Sequence, residues 1–179
     1  MVGMPGRGLK IMTLGYTLVV QIDIRPMETS DIQALCLLYL KAYASRTEEE
    51  WSRETVEKLL NFFHHKQPDL SFVAETDNRL IGAIQGSIKP WWNGNHLILE
   101  EIFIDPDAHR KGVGSTLLKT LCVKAVEFHG ATHIEAMTFR DAEFPKSWYF
   151  SRGFEEIKEW MPTERVIETV LGTLRADEN

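Results

Sequence analysis

The 179-residue chain has few cysteines, no long apolar run and no excess of basic residues. Its two cysteines, Cys36 and Cys122, lie in apolar helical surroundings, so we expect buried thiols in a reducing, cytoplasmic compartment rather than a disulfide or a metal pair. No apolar run is long enough to cross a membrane, so we expect no membrane partner. The net charge of −6 argues against a general nucleic-acid binder.

The six histidines show no ligand spacing, so the sequence predicts no metal site. The length suits one domain with a sizeable core. Because there is no internal repeat and no linker, we expect a single domain over residues 19–173, with a flexible extension over 1–18 and a polar tail over 174–179. Residues 11–20 loosely imitate a signal peptide, but no A-x-A cleavage site follows them.

The most informative stretch runs from Leu97 to Phe128. Apolar, β-favouring residues from Leu97 to Ile104 predict a strand that ends at Asp105-Pro106. Apolar residues at helical spacing then predict a helix: Leu117, Leu118, Leu121, Cys122, Ala125 and Phe128. A turn lies between the strand and the helix, and it consists of His109, Arg110, Lys111, Gly112, Val113, Gly114 and Ser115.

This turn has the features of a phosphate site. Gly112 and Gly114 let the backbone come close to a ligand, and the start of the helix offers unpaired N–H groups and the positive end of the helix dipole. Arg110 and Lys111 add positive charge. An ordinary tight connection between a strand and a helix would use similar residues, so the turn alone leaves both interpretations open.

Two nucleotide-binding patterns are absent from this turn. Nothing matches a Walker A loop, and the third glycine of a Rossmann fingerprint is missing after Gly112-Val113-Gly114. The order of strand, Asp-Pro, HRKGVG and amphipathic helix instead resembles the GNAT family of N-acetyltransferases. His109 replaces the Gln or Arg that the family usually has at the first position of this motif.

A second motif supports the resemblance. The sequence WYFSRGF, from Trp148 to Phe154, is similar to the family's FYxxxGF signature, with Trp148 in place of Phe. The order of elements indicated by periodicity over residues 20–171, βααβββαβαββ, is also that of the family, with late strands over 154–161 and 166–171. The resemblance implies an α/β fold of the α+β type, in which helices flank a mixed, mostly antiparallel sheet of six or seven strands.

The resemblance also implies an activity. A member of this family is an enzyme that moves the acetyl group of acetyl-CoA to a primary amine by direct attack on the thioester, without a metal. Backbone groups of Ile102, Phe103 and Ile104 would pair with the pantetheine arm of the co-substrate. The pyrophosphate would lie on the turn from His109 to Ser115.

By the same resemblance, Tyr149 occupies the position of the general acid. A free thiol has a pKa of about 8.5 and a phenol one of about 10, so a tyrosine can protonate the departing thiolate at little energetic cost. A backbone N–H of the central strand, at or next to Ile102, would polarise the thioester carbonyl.

The candidates for the base are two adjacent glutamates. Glu100 and Glu101 interrupt an otherwise apolar strand, where a carboxylate is costly unless it faces water, a partner or a site. Alternation sends them to opposite faces, so at most one would face the acceptor, unless a bulge shifts the phase. We favour Glu100 as the base. Alternatively, one glutamate pairs with a basic residue and the other anchors a cationic substrate.

The expected acceptor is a small cationic amine, because an acidic, aromatic-rimmed cleft would bind it by carboxylate pairing and cation–π contact. Trp91 and Trp92 would line that rim, pack under a hairpin or form a dimer contact. The alternative acceptor is a protein N-terminus or lysine, and the alternative of another class is a non-catalytic acyl-CoA-binding sensor. Exposed strands near the C-terminus would suit a homodimer.

Overall fold

The computed structural model describes residues 22–44 and 51–158, together with 167 and 169. The chain divides into two compact units, Met1–Met137 and Thr138–Asn179. The described elements of the first unit are β1 (Asp23–Pro26), α1 (Ile32–Tyr43), α2 (Arg53–Lys66), β2 (Ser71–Thr76), β3 (Arg79–Trp91), β4 (Gly94–Ile104), α3 (Val113–His129) and β5 (Ala131–Ala136). Helix α4 (Glu143–Phe150) lies in the second unit.

The sheet of the first unit has the strand order β1-β2-β3-β4-β5. Strands β1 to β4 pair with their neighbours antiparallel, and β5 pairs with β4 in parallel. Helix α3 makes the crossover between β4 and β5, because parallel neighbours need a long connection. This mixed, mostly antiparallel sheet with flanking helices confirms the predicted fold class. The described residues form five of the six or seven strands that were predicted.

Helices α1 and α2 cover one face of the sheet. Helix α2 has a capped N-terminus, since the Ser52 hydroxyl accepts a hydrogen bond from the Thr55 N–H at 3.1 Å. Burial of apolar surface stabilises this layer. The residues that form its core come from both helices and from the sheet: Met27, Ile32, Leu35, Cys36, Leu38, Tyr39, Val56, Leu60, Val73, Ala83 and Phe103.

Helix α3 packs on the opposite face of the sheet, where Leu121 is fully buried. Gly86 of β3 allows a close approach, because an added Cβ would lie 2.9 Å from Cδ1 of Leu97 and 3.1 Å from Cδ1 of Leu121. Those distances are too short for a side chain. The absence of a side chain on β3 therefore lets the helix lie directly on the sheet.

The two strands predicted after α4 are wrong wherever the structure describes them. Residues 154–158 form no strand, and 167 and 169 are helical. The chain after α4 instead turns back onto that helix: the Phe154 N–H donates to the Tyr149 carbonyl, and Glu156 pairs with Arg140. Local contacts thus override the alternating pattern, which forms a strand only beside a partner.

Several predictions fall outside the described residues, namely the extension over 1–18, the tail over 174–179 and the remainder of the late strands. The single domain over 19–173 stays a prediction. No helix formed by the described ranges is long and apolar enough to span a membrane. Within the same ranges, no group of three or more His, Cys, Asp or Glu is arranged to hold a metal ion.

Candidate active site

A β-bulge interrupts the pairing of β3 with β4 at the two adjacent glutamates. Gln85 lies opposite Glu101, whereas the next residue of β3, Gly86, lies opposite Leu99. Glu100 is therefore an extra residue on β4, and two residues of that strand oppose one residue of its partner. An extra residue changes the phase of the side chains along β4.

Because of the bulge, both glutamates face α1 and α2. Glu100 accepts hydrogen bonds from Ser87 Oγ at 2.5 Å and from Lys66 Nζ, at the end of α2, at 2.8 Å. The carboxylate of Glu101 accepts a hydrogen bond from the Tyr39 hydroxyl of α1. Simple alternation predicted opposite faces for the two glutamates. That prediction is wrong, because strict alternation assumes that each residue of β4 has its own partner on β3, whereas the bulge adds one residue without such a partner.

Tyr39 is fixed in a cluster of aromatic rings and is 3% exposed. The centroid of its ring lies 4.5 Å from that of Tyr43, 5.1 Å from that of Phe103 and 5.7 Å from that of Trp51. These rings come from α1, from β4 and from the residues just before α2. Close packing on these sides holds the phenol, and with it the hydroxyl, beside Glu101.

The Glu101 carboxyl has a raised pKa. Burial is the largest cause and the negative charge of Glu100 adds to it, while the hydrogen bond from Tyr39 opposes both. Together they raise the pKa from 4.5 to about 7. Near neutral pH the carboxyl therefore populates both protonation states, which is the property that a general base or acid needs.

The pairing of β4 with β5 covers only the first half of β4. It runs from Asn95 beside Ala131 to Leu99 beside Ala136, whereas β4 continues to Ile104. Beyond the last pair, β4 has no strand on this side among the residues that the structure describes. The sheet therefore opens between β4 and β5, where the family resemblance implies that the pantetheine arm pairs.

Alternate residues of β4 direct their backbone groups towards this opening. The Asp105 N–H donates to the Ile81 carbonyl of β3 at 2.9 Å, and neighbouring residues of an antiparallel strand alternate in direction. Ile102 and Ile104 therefore direct their N–H and C=O groups to the opening. Phe103 directs its own to β3 and its ring into the core. Of the three predicted backbone contacts, the first and last are suitably placed.

The turn after β4 has its backbone in left-handed conformations, with φ of 60° at Arg110 and 84° at Gly112. A Cβ added at Gly112 would meet no atom within 4 Å, so the space beside it is open. Gly112 directly precedes α3, and the first N–H groups of a helix have no partner within the helix. The open space, the unpaired N–H groups and the positive end of the helix dipole fit a pyrophosphate.

The side chains of this turn differ in what they contact. His109 donates through Nε2 to the Ile104 carbonyl at 3.2 Å, and Lys111 Nζ donates to the Asp107 carbonyl at 2.9 Å. Arg110 is exposed, Gly114 and Ser115 are partly buried, and Val113 is buried. The predicted cradle residues are thus brought together on one turn, with Val113 holding the start of α3 on the core.

An ion-pair network joins α1 to the segment between β4 and this turn. Lys41 Nζ donates to Asp105 Oδ1 and to Asp107 Oδ2, each at 2.7 Å. Asp105 also accepts the Asp107 N–H at 3.0 Å. Burial opposes ionisation of Asp105, but its hydrogen bonds and basic neighbours outweigh burial and hold the pKa of the carboxyl below its usual range. Helix α1 therefore contacts Glu101 through Tyr39 and the segment just before the turn through Lys41.

Tyr149, the predicted general acid, lies in α4 and is buried. Its ring centroid is 5.0 Å from that of Trp148 and 5.2 Å from that of Phe154. Its carbonyl accepts the N–H groups of Arg152 and Phe154, so the WYFSRGF motif ends α4 and reverses the chain. The catalytic function of Tyr149 stays a prediction.

Trp91 and Trp92 do not line the site around Glu101. They lie at the hairpin between β3 and β4, and Trp91 is six residues along β3 from Gln85, or about 20 Å at about 3.3 Å per residue. The aromatic residues near Glu101 are instead those around Tyr39. The sequence shows the helical stripe that contains Tyr39, but no pattern in it indicates the contact with β4.

Comparison with known proteins adds an independent finding. Residues 33–164 match the model of the Acetyltransferase (GNAT) family. An uncharacterised N-acetyltransferase of Methanocaldococcus jannaschii is 25% identical, and the alignment covers 82% of this chain and 67% of that protein. The family match confirms the resemblance that HRKGVG and WYFSRGF indicated.

Solved structures share the fold. A possible acetyltransferase from Clostridium difficile 630 superposes with a TM-score of 0.69 at 15% identity, covering 81% of this chain and 97% of that one. The aminoglycoside N-acetyltransferase AAC(6')-Iy, in complex with the bisubstrate analogue CoA-S-monomethyl-acetylneamine, superposes with a TM-score of 0.64 at 20% identity. That alignment covers 82% of this chain and 99% of the other.

Proposed function

Because the chain belongs to the acetyltransferase (GNAT) family, we propose that it transfers the acetyl group of acetyl-CoA to a small cationic amine with Glu101 as the base. Membership of the family confirms the predictions of an acetyltransferase and of acetyl-CoA as its co-substrate. The observation that carries the proposal is the bulge in β4, which turns a carboxyl with a pKa of about 7 towards α1 and α2.

The base is needed because a primary amine is protonated at neutral pH and must lose a proton before it can attack. Glu101 takes that proton. The nitrogen then bonds to the acetyl carbon and loses a second proton, while the carbon–sulfur bond breaks and the sulfur leaves as a thiolate that takes a proton from Tyr149. The second proton lost by the nitrogen passes through solvent and restores the Tyr149 phenol. The Ile102 N–H, which faces the opening of the sheet, polarises the thioester oxygen.

Glu101 suits the base better than Glu100, which the sequence favoured. Oε1 of Glu100 already accepts hydrogen bonds from the Lys66 ammonium group and from the Ser87 hydroxyl, so this carboxylate is engaged by two donors of the protein itself. Burial raises the pKa of Glu101 to about 7. The change of assignment follows from what each carboxyl contacts, which sequence alternation alone does not give.

Two observations support a small cationic amine as the acceptor. Both glutamates face the same side of the sheet, and Tyr39, which contacts Glu101, packs against the partly buried rings of Tyr43 and Trp51. Carboxylates and aromatic rings both attract cations. A structural neighbour, AAC(6')-Iy, was solved with an analogue that joins CoA to acetylneamine. Protein N-termini and lysines are the alternative acceptors, and a cytoplasmic location stays a prediction.

The test is a thiol-release assay with acetyl-CoA and a panel of amines: neamine, spermidine, tyramine and a lysine-containing peptide with a free N-terminus. We expect transfer to small amines, and we expect Glu101→Gln to lower kcat by about 100-fold, the lower range for loss of a general base. Calorimetry should show unchanged binding of acetyl-CoA. Glu54→Gln, which changes an exposed carboxylate paired with Lys58, is the matched control.

Two outcomes would contradict the proposal. Transfer to the peptide alone would replace the small amine by a protein acceptor. Tight binding of acetyl-CoA without transfer to any amine would support a non-catalytic sensor.

Tyr149→Phe tests the general acid separately. We expect kcat to fall by about 100-fold while binding of acetyl-CoA is kept, because the phenol donates a proton only when the thiolate leaves. A loss of less than a few-fold, with binding unchanged, would remove Tyr149 from the mechanism.

A further inference from the structure

We propose that Glu100 and Tyr39 are positioning residues that act on the reaction through Glu101: the charge of Glu100 opposes ionisation of Glu101, and the Tyr39 hydroxyl holds its carboxylate by a hydrogen bond. The proposal rests on the proposed function, because it takes Glu101 as the base. Neither positioning residue needs to contact the substrate.

The bulge brings the charge of Glu100 next to Glu101. Without the extra residue in β4, adjacent side chains would lie on opposite faces of the sheet, with the sheet between them. Ser87 and Lys66 then fix the Glu100 carboxylate on the α2 side, where its side chain is only 15% exposed. A charge that is fixed and largely shielded from water acts on a close neighbour with little screening.

Tyr39 acts in the opposite direction. Its ring packs against aromatic rings from α1, from β4 and from the residues before α2, so the hydroxyl stays in place when the carboxyl gains or loses its proton. A hydroxyl that donates to a carboxylate stabilises the ionised form. Burial of Tyr39 shields this hydrogen bond from competition with water.

Other groups near Glu101 do not replace these two. The elements that cover this face also carry His64 and Lys66 of α2 and Gln85 and Ser87 of β3, but besides burial only Glu100 and Tyr39 act on Glu101. Of these, Gln85 and Ser87 carry no charge. Lys66 has its ammonium group on Glu100, so it weakens the effect of Glu100 without removing it.

The consequence is that the pH at which the base becomes active depends on two side chains outside the reaction. Burial raises the pKa of Glu101, the Glu100 charge raises it further, and Tyr39 lowers it. Since the two residues act in opposite directions, removing the charge of Glu100 should lower the pKa of Glu101, and removing the Tyr39 hydroxyl should raise it. A general loss of structure would not give two opposite shifts.

The test is a direct titration of Glu101 in the full chain. Carbon-13 NMR of protein labelled at the glutamate side-chain carboxyl carbons follows its protonation, and the resonance is assigned by its loss in Glu101→Gln. We expect the midpoint to fall by about one pH unit in Glu100→Gln and to rise by about one unit in Tyr39→Phe. Gln keeps the hydrogen bond to Ser87 and Phe keeps the ring, so both variants should fold, which circular dichroism checks.

Glu54→Gln is the matched control, because it removes an exposed carboxylate of α2 far from the bulge. The titration midpoint of Glu101 in this variant should equal that of the wild type. Shifts of Glu100→Gln and Tyr39→Phe in the same direction, or no shift in either, overturn the proposal. In the neamine assay, the rise of kcat/KM with pH should move with the NMR midpoint in each variant, since the base acts when deprotonated.

The NMR readout needs no acceptor, so it separates this proposal from the assignment of the base. If the midpoints move as expected but Glu101→Gln transfers acetyl groups at the wild-type rate, the base assignment fails and the electrostatic link remains. If Glu101→Gln is inactive but the midpoints do not move, the base stands and the positioning residues are refuted.

Discussion

Glu101 is ionised with difficulty in the folded protein, where its pKa is about 7 rather than 4.5. The unfolded chain releases this proton near its ordinary pKa. Between about pH 4.5 and pH 7, the folded protein therefore binds a proton that the unfolded chain has lost. By linkage, the contribution of Glu101 to the free energy of unfolding falls as the pH rises through this window.

Glu101→Gln should accordingly stabilise the protein at high pH. Gln stays neutral and can still accept the hydrogen bond from Tyr39, so the free energy of unfolding at pH 8 should rise by up to about 3 kcal/mol. At pH 4, where both states carry a protonated Glu101, the gain should nearly vanish. Urea unfolding at the two pH values measures this, and an equal gain at both would contradict it.

Gly112 is the residue of the turn at which a side chain should harm binding most directly. Its φ of 84° disfavours any side chain, and the open space beside it is where the pyrophosphate is expected. Gly112→Val should weaken binding of CoA at least about tenfold in calorimetry, or about 1.4 kcal/mol.

Gly130→Val is the matched control for that change. Gly130 ends α3 with a φ of 59°, and an added Cβ there would also meet nothing within 4 Å. Both variants strain the backbone, but only Gly112→Val should lose affinity for CoA. Equal affinities of the two folded variants would refute the placement of the pyrophosphate.

At the scale of elements, β4 and α3 were predictable because their signals are local. Apolar residues from Leu97 to Ile104 and the helical stripe up to Phe128 correspond to β4 and α3 as they form. The bulge was not predictable, because one extra residue in a strand depends on how the backbone pairs with β3. The sequence therefore did not show that Glu100 and Glu101 lie on the same face of the sheet.

The contact between Tyr39 and Glu101 was missed for a related reason. It joins residues of α1 and β4 that are far apart in sequence, and the aromatic stripe of α1 reads equally well as plain core. After α4, the β-favouring pattern misled, because the segment from Phe154 contacts the helix before it instead of a strand. Local sequence patterns thus predicted β4 and α3, whereas the contact that affects the protonation of Glu101 joins residues far apart in the sequence and was not predicted.

The ion pairs between α1 and the segment just before the turn lead to a prediction at the same scale. Lys41→Met keeps the apolar stem but leaves the carboxylates of Asp105 and Asp107 without their ammonium partner, close to the turn where the pyrophosphate is expected. Binding of acetyl-CoA should weaken about tenfold, or about 1.4 kcal/mol. Calorimetry measures it, with Lys58→Met, from an exposed pair on α2, as the control. Equal affinities for acetyl-CoA in both variants would show that the ion pairs of Lys41 do not contribute to binding.

At the scale of the whole molecule, buried carboxylates that are held ionised should govern stability in acid. Asp31 accepts two hydrogen bonds from Arg25, at 2.7 Å and 2.9 Å. These bonds are the largest cause of its lowered pKa, and burial opposes them. A lowered folded pKa contributes stability that is present above the unfolded pKa of about 4 and is lost as the pH falls through the folded pKa.

Asp31→Asn should therefore lower the free energy of unfolding at pH 6 by about 2 kcal/mol, in the range for hydrogen bonds to charged groups. The difference from the wild type should shrink as the pH falls below about 4, because the unfolded chain then binds a proton that Asp31 still lacks in the folded protein. Urea unfolding at pH 6 and pH 3 measures it. Asp77→Asn, in the exposed hairpin between β2 and β3, is the control for the loss of an exposed carboxylate.

Helix α1 contacts Glu101 through Tyr39, and it contacts the segment just before the turn through Lys41, two residues further on. A ligand that shifts this helix on one side must change the energy of binding on the other, and thermodynamic reciprocity makes the effect equal in both directions. The two substrates are thus expected to bind cooperatively, because both of their expected sites contact α1.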